Sequence, residues 1–120
     1  MIKRTEENDT IFFEIQKDMV FTTVQSYRDL FTPKNIKPNA KVYIDMSCVF
    51  FVDTTGISCL TDWVSQIKTK RATVAFIGVS NHVAKIFKIC ELDFLIDSQF
   101  CPNTHQHTLS FIYNRVQLHH

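Results

Sequence analysis

A β-branched and aromatic run that stops abruptly at two hydroxyls and a glycine constrains this chain more than any other feature. It extends from Val42 to Gly56 and reads VYIDMSCVFFVDTTG. The break puts Thr54 and Thr55 on a turn. Gly56 is one of only two glycines, and Ile57, Leu60, Val64 and Ile67 follow it at helical spacing, so the turn opens a helix. Asp53, Thr54 and Thr55 are all N-cap residue types. A helix start presents unpaired N–H groups and partial positive charge, a setting suited to a phosphate. A hydroxyl at this corner is a candidate switch. The same residues also suffice for a purely structural cap, with Gly56 allowing close backbone packing.

Strands and helices alternate along the rest of the chain. Thr10 to Gln16 (TIFFEIQ) reads as a strand, and Phe21 to Phe31 as a helix with Val24, Tyr27, Leu30 and Phe31 along one side. Pro33 and Pro38 mark a loop. Val42 to Met46 is a strand, Phe50 to Val52 leads into the turn, and Thr55 to about Thr69 is the central helix. Phe50 and Phe51, as consecutive residues, are expected to bracket the sheet as core. Ala72 to Gly78 reads as a continuous buried strand, and Ser80 as the N-cap of a helix carrying Val83, Ile86, Phe87 and Cys90 inward. Leu92 to Ile96 is a short edge strand. His105, Leu109, Ile112 and Val116 share one face of a terminal helix that begins near Thr104. These intervals argue for βαβ crossovers, with Val42 to Met46 and Ala72 to Gly78 as adjacent parallel strands.

Composition narrows the function classes. A chain of 120 residues with 45% apolar residues can bury a single core, so one domain over 1–120 is expected. Thirteen Lys and Arg against twelve Asp and Glu leave a formal charge of +1, without the basic excess of a nucleic-acid binder. Lys68, Lys70 and Arg71 cluster at the C-terminal end of the central helix, where cations suit the helix dipole. The charged N-terminus, MIKRTEENDT, lacks the apolar core of a signal peptide, and the apolar runs are too short to cross a bilayer. A cytoplasmic location without direct membrane insertion is expected.

Catalytic and metal constellations are not apparent in the sequence. Cys48, Cys59, Cys90 and Cys101 are widely separated, with no C-x-x-C pair. The first three read as buried free thiols in apolar surroundings, and Cys101 has no His or Asp placed to activate it. His105 and His107 would diverge on a helix, which disfavours a shared metal. Trp63 lies beside the apolar stripe of the central helix, where it either presents a face to a partner or packs half-buried. No cofactor motif and no paired catalytic carboxylates can be assigned, so a non-enzymatic role is expected.

The order of motifs resembles the STAS family, the sulfate transporter and anti-sigma factor antagonist domains. The family's strand ending in Asp-Ser-Ser/Thr-Gly is here Asp53-Thr54-Thr55-Gly56. Ile44-Asp45-Met46-Ser47 is similar to its apolar-Asp-Leu-Ser strand, and Ile77-Gly78-Val79-Ser80 to its Val-Gly-Val-Ser strand exit. The likeness covers roughly residues 10 to 97, leaving 101–120 as a C-terminal helix and tail. Two departures stand out. The family's Gly-x-Leu-Asp before the first helix is Gln16-Lys17-Asp18-Met19, and Glu91 takes the place of a Gly after the third helix.

The resemblance implies an α/β fold: a mixed, largely parallel sheet with helices packed mainly on one face. It also implies a bacterial regulatory protein-interaction domain in signal transduction, acting as an anti-sigma factor antagonist. The implied partner is a histidine-kinase-like Ser/Thr kinase or anti-sigma factor, with a phosphatase as a further partner. Residue-by-residue transfer puts the phosphoacceptor at Thr54, with Thr55 as the neighbouring alternative. Asp53, Thr54, Thr55, Gly56, Ser58 and Asp62 form the expected partner-binding surface. The alternative is a constitutive accessory subunit bound to the ATPase of a lipid-transport ABC complex.

Overall fold

Strand order in the sheet follows chain order, β1-β2-β3-β4. A computed structural model describes residues 1–34 and 36–96; the expected helix from Thr104, Cys101 and the His105/His107 pair lie outside the described residues. The strands are β1 (Ile2–Glu7), β2 (Thr10–Ile15), β3 (Lys41–Asp45) and β4 (Thr73–Ile77). The first pair is an antiparallel hairpin, and β2–β3 and β3–β4 are parallel. Among the described residues there are three α-helices: α1 (Phe21–Tyr27), α2 (Thr54–Lys68) and α3 (Asn81–Ile89). The expected mixed, largely parallel sheet is therefore present, as is the adjacent parallel pair of β3 and β4.

Side-chain alternation decides which face the helices cover. Phe13, Ile44 and Phe76 stand in one row across β2, β3 and β4. Trp63 of α2 meets the Phe13 ring edge-on at 4.9 Å between centroids, and Phe87 of α3 meets Phe76 at 5.1 Å. Both helices thus pack on the same face. The opposite face carries the row Phe12, Tyr43, Ala75, in which Phe12 and Tyr43 stack at 5.3 Å. Burial of Leu60, Val64 and Ile67 along α2 contributes about 1.5–3 kcal/mol for each side chain.

Several expectations need correction. β1 was not anticipated, because IKRTEE is stabilised by pairing with β2 rather than by apolar burial, around a two-residue turn in which Asn8 takes φ 54°. The helix expected over Phe21 to Phe31 is α-helical only to Tyr27 and tightens into a 3-10 turn at Arg28–Leu30, which leaves Leu30 exposed and Phe31 buried. Phe50 and Phe51 are not core: β3 ends at Asp45, strand alternation no longer applies, and the two rings are 61% and 60% exposed. Cys48 and Cys90 are exposed, one in the loop after β3 and the other at the end of α3; only Cys59 of the described thiols is buried.

Trp63 is wholly buried rather than half-exposed, since Phe13 and Phe31 enclose its ring and its Nε1 donates to the Thr32 carbonyl at 3.2 Å. The strand expected over Ala72 to Gly78 is shorter and buried only towards its end, at Phe76 and Ile77. Leu92 to Ile96 forms a 3-10 turn at Asp93–Leu95, and only Ile96 bridges to Phe76. Of the basic cluster, Lys68 lies in the last turn of α2 over the Phe94 ring, and Lys70 donates to the Ile36 carbonyl.

Candidate functional site

Asp53 organises the corner by capping two helices at once. Its Oδ1 accepts from the Gly56 amide at 2.9 Å, within the first turn of α2, and its Oδ2 accepts from the Phe21 amide at 2.8 Å, the first residue of α1. Both are N–H groups that a helix start leaves without an intrahelical acceptor. Val20, which precedes α1, has no capping oxygen in its side chain, and Asp53 supplies one from across the corner. These amides, Gly56 first and then Phe21, hold the Asp53 carboxyl below the usual carboxylate range against the opposing effect of desolvation.

A second layer of backbone bonds joins the loop before α1 to the loop before α2. Asp18 Oδ1 accepts from the amides of Phe50 and Phe51 at 2.8 and 3.1 Å. Met19 donates to the Phe51 carbonyl at 3.0 Å and accepts from the Asp53 amide at 3.1 Å. Gly56 then lies directly against Met19: a Cβ at this position would stand 1.8 Å from the Met19 carbonyl oxygen. Only glycine fits there.

The structure separates the candidate residues into scaffold and surface. Gly56 is buried, and Asp53 and Thr55 are partly exposed. Thr54, Ser58 and Asp62 are exposed and, at intervals of four, share one face of α2. The Thr54 side chain makes no hydrogen bond among the described residues. Beside it an open groove of about 470 Å³ runs between α2 and α3, with Val52, Thr54, Ile57 and Ser58 on one wall and Ile86 and Cys90 on the other.

Aromatic surface flanks the same corner. Phe21, Phe50 and Phe51 are exposed on the two segments that meet at Asp53, and Phe51 stands edge-on to His82 at 6.0 Å. Sequence reasoning missed these rings and the α3 wall of the groove. Asp18 belongs to the segment that departs from the family's Gly-x-Leu-Asp, and its role depends on a fold that brings it to the Phe50–Phe51 amides. Burial pushes the Cys59 thiol up, which keeps it protonated and a poor nucleophile.

The STAS domain family matches the chain over residues 1–107. A candidate anti-sigma factor antagonist from Thermotoga maritima has 12% identity and a TM-score of 0.68, over 80% of this chain and 83% of that one. An anti-sigma factor antagonist STAS domain protein from Planctomyces limnophilus has 20% identity and a TM-score of 0.66, over 79% and 86%. The Bacillus cell fate determinant SpoIIAA in its phosphorylated form has 10% identity and a TM-score of 0.60, over 81% and 89%. At these identities the likeness is one of fold. None of the curated proteins compared with the chain matches it.

Proposed function

Because this chain belongs to the STAS domain family, we propose that it is an anti-sigma factor antagonist-like regulator, switched by phosphorylation of Thr54. The observation that carries this reading is the division of labour at the corner. Asp53 and Gly56 are held by backbone contacts, while the neighbouring Thr54 hydroxyl is exposed at the first residue of α2 beside an apolar groove. A modification there changes the surface and leaves the scaffold bonds in place. That SpoIIAA has been solved in phosphorylated and unphosphorylated forms lends the reading support through the shared fold.

The partner class is a histidine-kinase-like Ser/Thr kinase or anti-sigma factor that docks on Asp53, Thr54, Thr55, Ser58 and Asp62, with Gly56 shaping the turn from beneath. A phosphoryl group adds about −1.5 to −2 charges and three acceptor oxygens. Placed on the face that already carries Asp62, it opposes an acidic or closely packed partner surface. A loss of about 3 kcal/mol at a desolvated contact lowers affinity more than a hundredfold. The acceptor is tested by incubation with the cognate kinase and mass spectrometry; labelling at Thr55 alone would remove Thr54 from this role.

Binding separates the switch from constitutive docking on an ABC-transporter ATPase. Under the switch, Thr54→Ala binds the kinase at close to wild-type strength and Thr54→Glu binds weakly, with thermal stability nearly unchanged in both. Weak binding by Thr54→Ala would instead mark the hydroxyl as a permanent contact.

A further inference from the structure

From three exposed phenylalanine rings around the Thr54 corner, we infer that Phe21, Phe50 and Phe51 anchor the docking kinase through apolar pockets on its surface, and that phosphorylation of Thr54 acts by forcing a charge into this apolar contact. The inference rests on the kinase-switch reading above and names the chemistry of the partner's face. Among the described residues six large apolar side chains are exposed, and three of them are these rings. Single exposed apolar residues are ordinary, whereas several at one place mark an interaction site. Each ring residue is more than half exposed, so the three together offer about 300–400 Å².

The fold itself does not require phenylalanine at these positions. Phe21 is held by its amide on Asp53 Oδ2, and Phe50 and Phe51 by their amides on Asp18 Oδ1. Any residue but proline supplies the same N–H. The Met19 amide on the Phe51 carbonyl joins the two segments. The rings therefore stand on a backbone that is already fixed, and each has only two side-chain torsions to order on binding. Preorganisation of this kind favours affinity, and aromatic residues are enriched at the centres of interfaces.

Charge is largely withdrawn from the corner. Its two carboxylates, Asp18 and Asp53, are turned onto backbone amides. Val52, next to Phe51 in the chain, opens the groove whose walls carry Ile57 and Ile86, and Thr54 lines the same groove. The surface that this presents fits a partner with apolar pockets and little charge of its own. Against such a face a phosphoryl group on Thr54 must shed water without gaining a counter-charge, which is strongly unfavourable. A penalty of that origin is one that dissolved salt does little to relieve. Repulsion from an acidic partner would instead fade as ions screen it.

Isothermal titration calorimetry of the full chain with the cognate kinase tests both parts. Phe21→Ser, Phe50→Ser and Phe51→Ser should each lower affinity by about 30-fold or more, with melting temperatures close to wild type because the rings are exposed. Phe94→Ser is the control. Phe94 is also exposed but lies against Lys68, the last residue of α2 and about 20 Å along that helix from Thr54, so this variant should bind as wild type does. Thr54→Glu should weaken binding by the same factor at about 0.05 M and about 0.5 M salt. Ring variants that bind like wild type while Thr54→Glu binds weakly would overturn the inference and leave the switch standing, as would a Thr54→Glu defect that salt removes or an equal loss in Phe94→Ser. Thr54→Glu binding as tightly as wild type would refute the switch itself, and this inference with it.

Discussion

Replacing Gly56 by alanine tests how the corner is built, because two physical effects predict opposite signs. Gly56 is the third residue of α2, and on helix propensity alone the change should stabilise by up to about 1 kcal/mol. The structure argues the reverse. The new methyl carbon would stand 1.8 Å from the Met19 carbonyl oxygen and 2.7 Å from its carbon, both of them backbone atoms. Relief requires the Met19 segment to move away by more than an ångström. That movement strains or breaks the two backbone hydrogen bonds of Met19, at 3.0 and 3.1 Å, each contributing about 0.5–1.5 kcal/mol net.

It also lifts the wholly buried Met19 side chain from the core, with a cost of about 1–3 kcal/mol by analogy with overpacked sites. After the propensity gain is subtracted, a net loss of about 1–5 kcal/mol is expected. Urea unfolding followed through Trp63, the single buried tryptophan, measures it, and the melting temperature should fall by roughly 4 °C for each kcal/mol. A variant equal to or more stable than wild type would refute the close-approach argument.

Three further outcomes are expected. Since the amides of Gly56 and Phe21 depress the Asp53 carboxyl, its contribution to stability is present above the unfolded value of about 3.9 and is lost as the pH falls through the lower folded value; Asp53→Asn should flatten this part of an acid-unfolding curve, and an unchanged curve would count against the double cap. Glu91→Gly should stabilise by about 0.5–1 kcal/mol in thermal unfolding, because Glu91 holds φ 60° just beyond α3 and a left-handed residue with a side chain is disfavoured. Trp63→Phe should cost about 1–3 kcal/mol in urea titration, through lost ring contacts with Phe13 and Phe31 and an unpaired Thr32 carbonyl.

The corner was legible in the sequence because its determinants are local. Asp53, Thr54, Thr55 and Gly56 announce a helix start within four residues, and the helix follows at that place. Ser80 was legible for the same reason, and its hydroxyl accepts from the Val83 amide. What failed depends on partners distant in sequence. IKRTEE carries no apolar stripe, and only the pairing with β2 makes it a strand. Phe50 and Phe51 look like core by composition, yet Asp18, some thirty residues upstream, takes their amides and holds the loop outside the sheet. Glu91 shows a different limit. Family habit places glycine there, but the backbone adopts the left-handed turn regardless, closed by the Leu92 amide on the Phe87 carbonyl at 2.7 Å.

The correspondence between strand order and chain order bears on how the protein acquires its structure. The β1–β2 hairpin closes over two residues, a step on the microsecond scale that needs nothing from the rest of the chain. Among the described residues, each later strand joins the edge left by its predecessor. Such a sheet can grow in the direction of synthesis, each strand joining after it emerges, N-terminal strands first. Its transiently open edge moves along the chain as β2, β3 and β4 are added. During translation, the parallel edge awaiting its next strand is therefore the surface most exposed to mispairing.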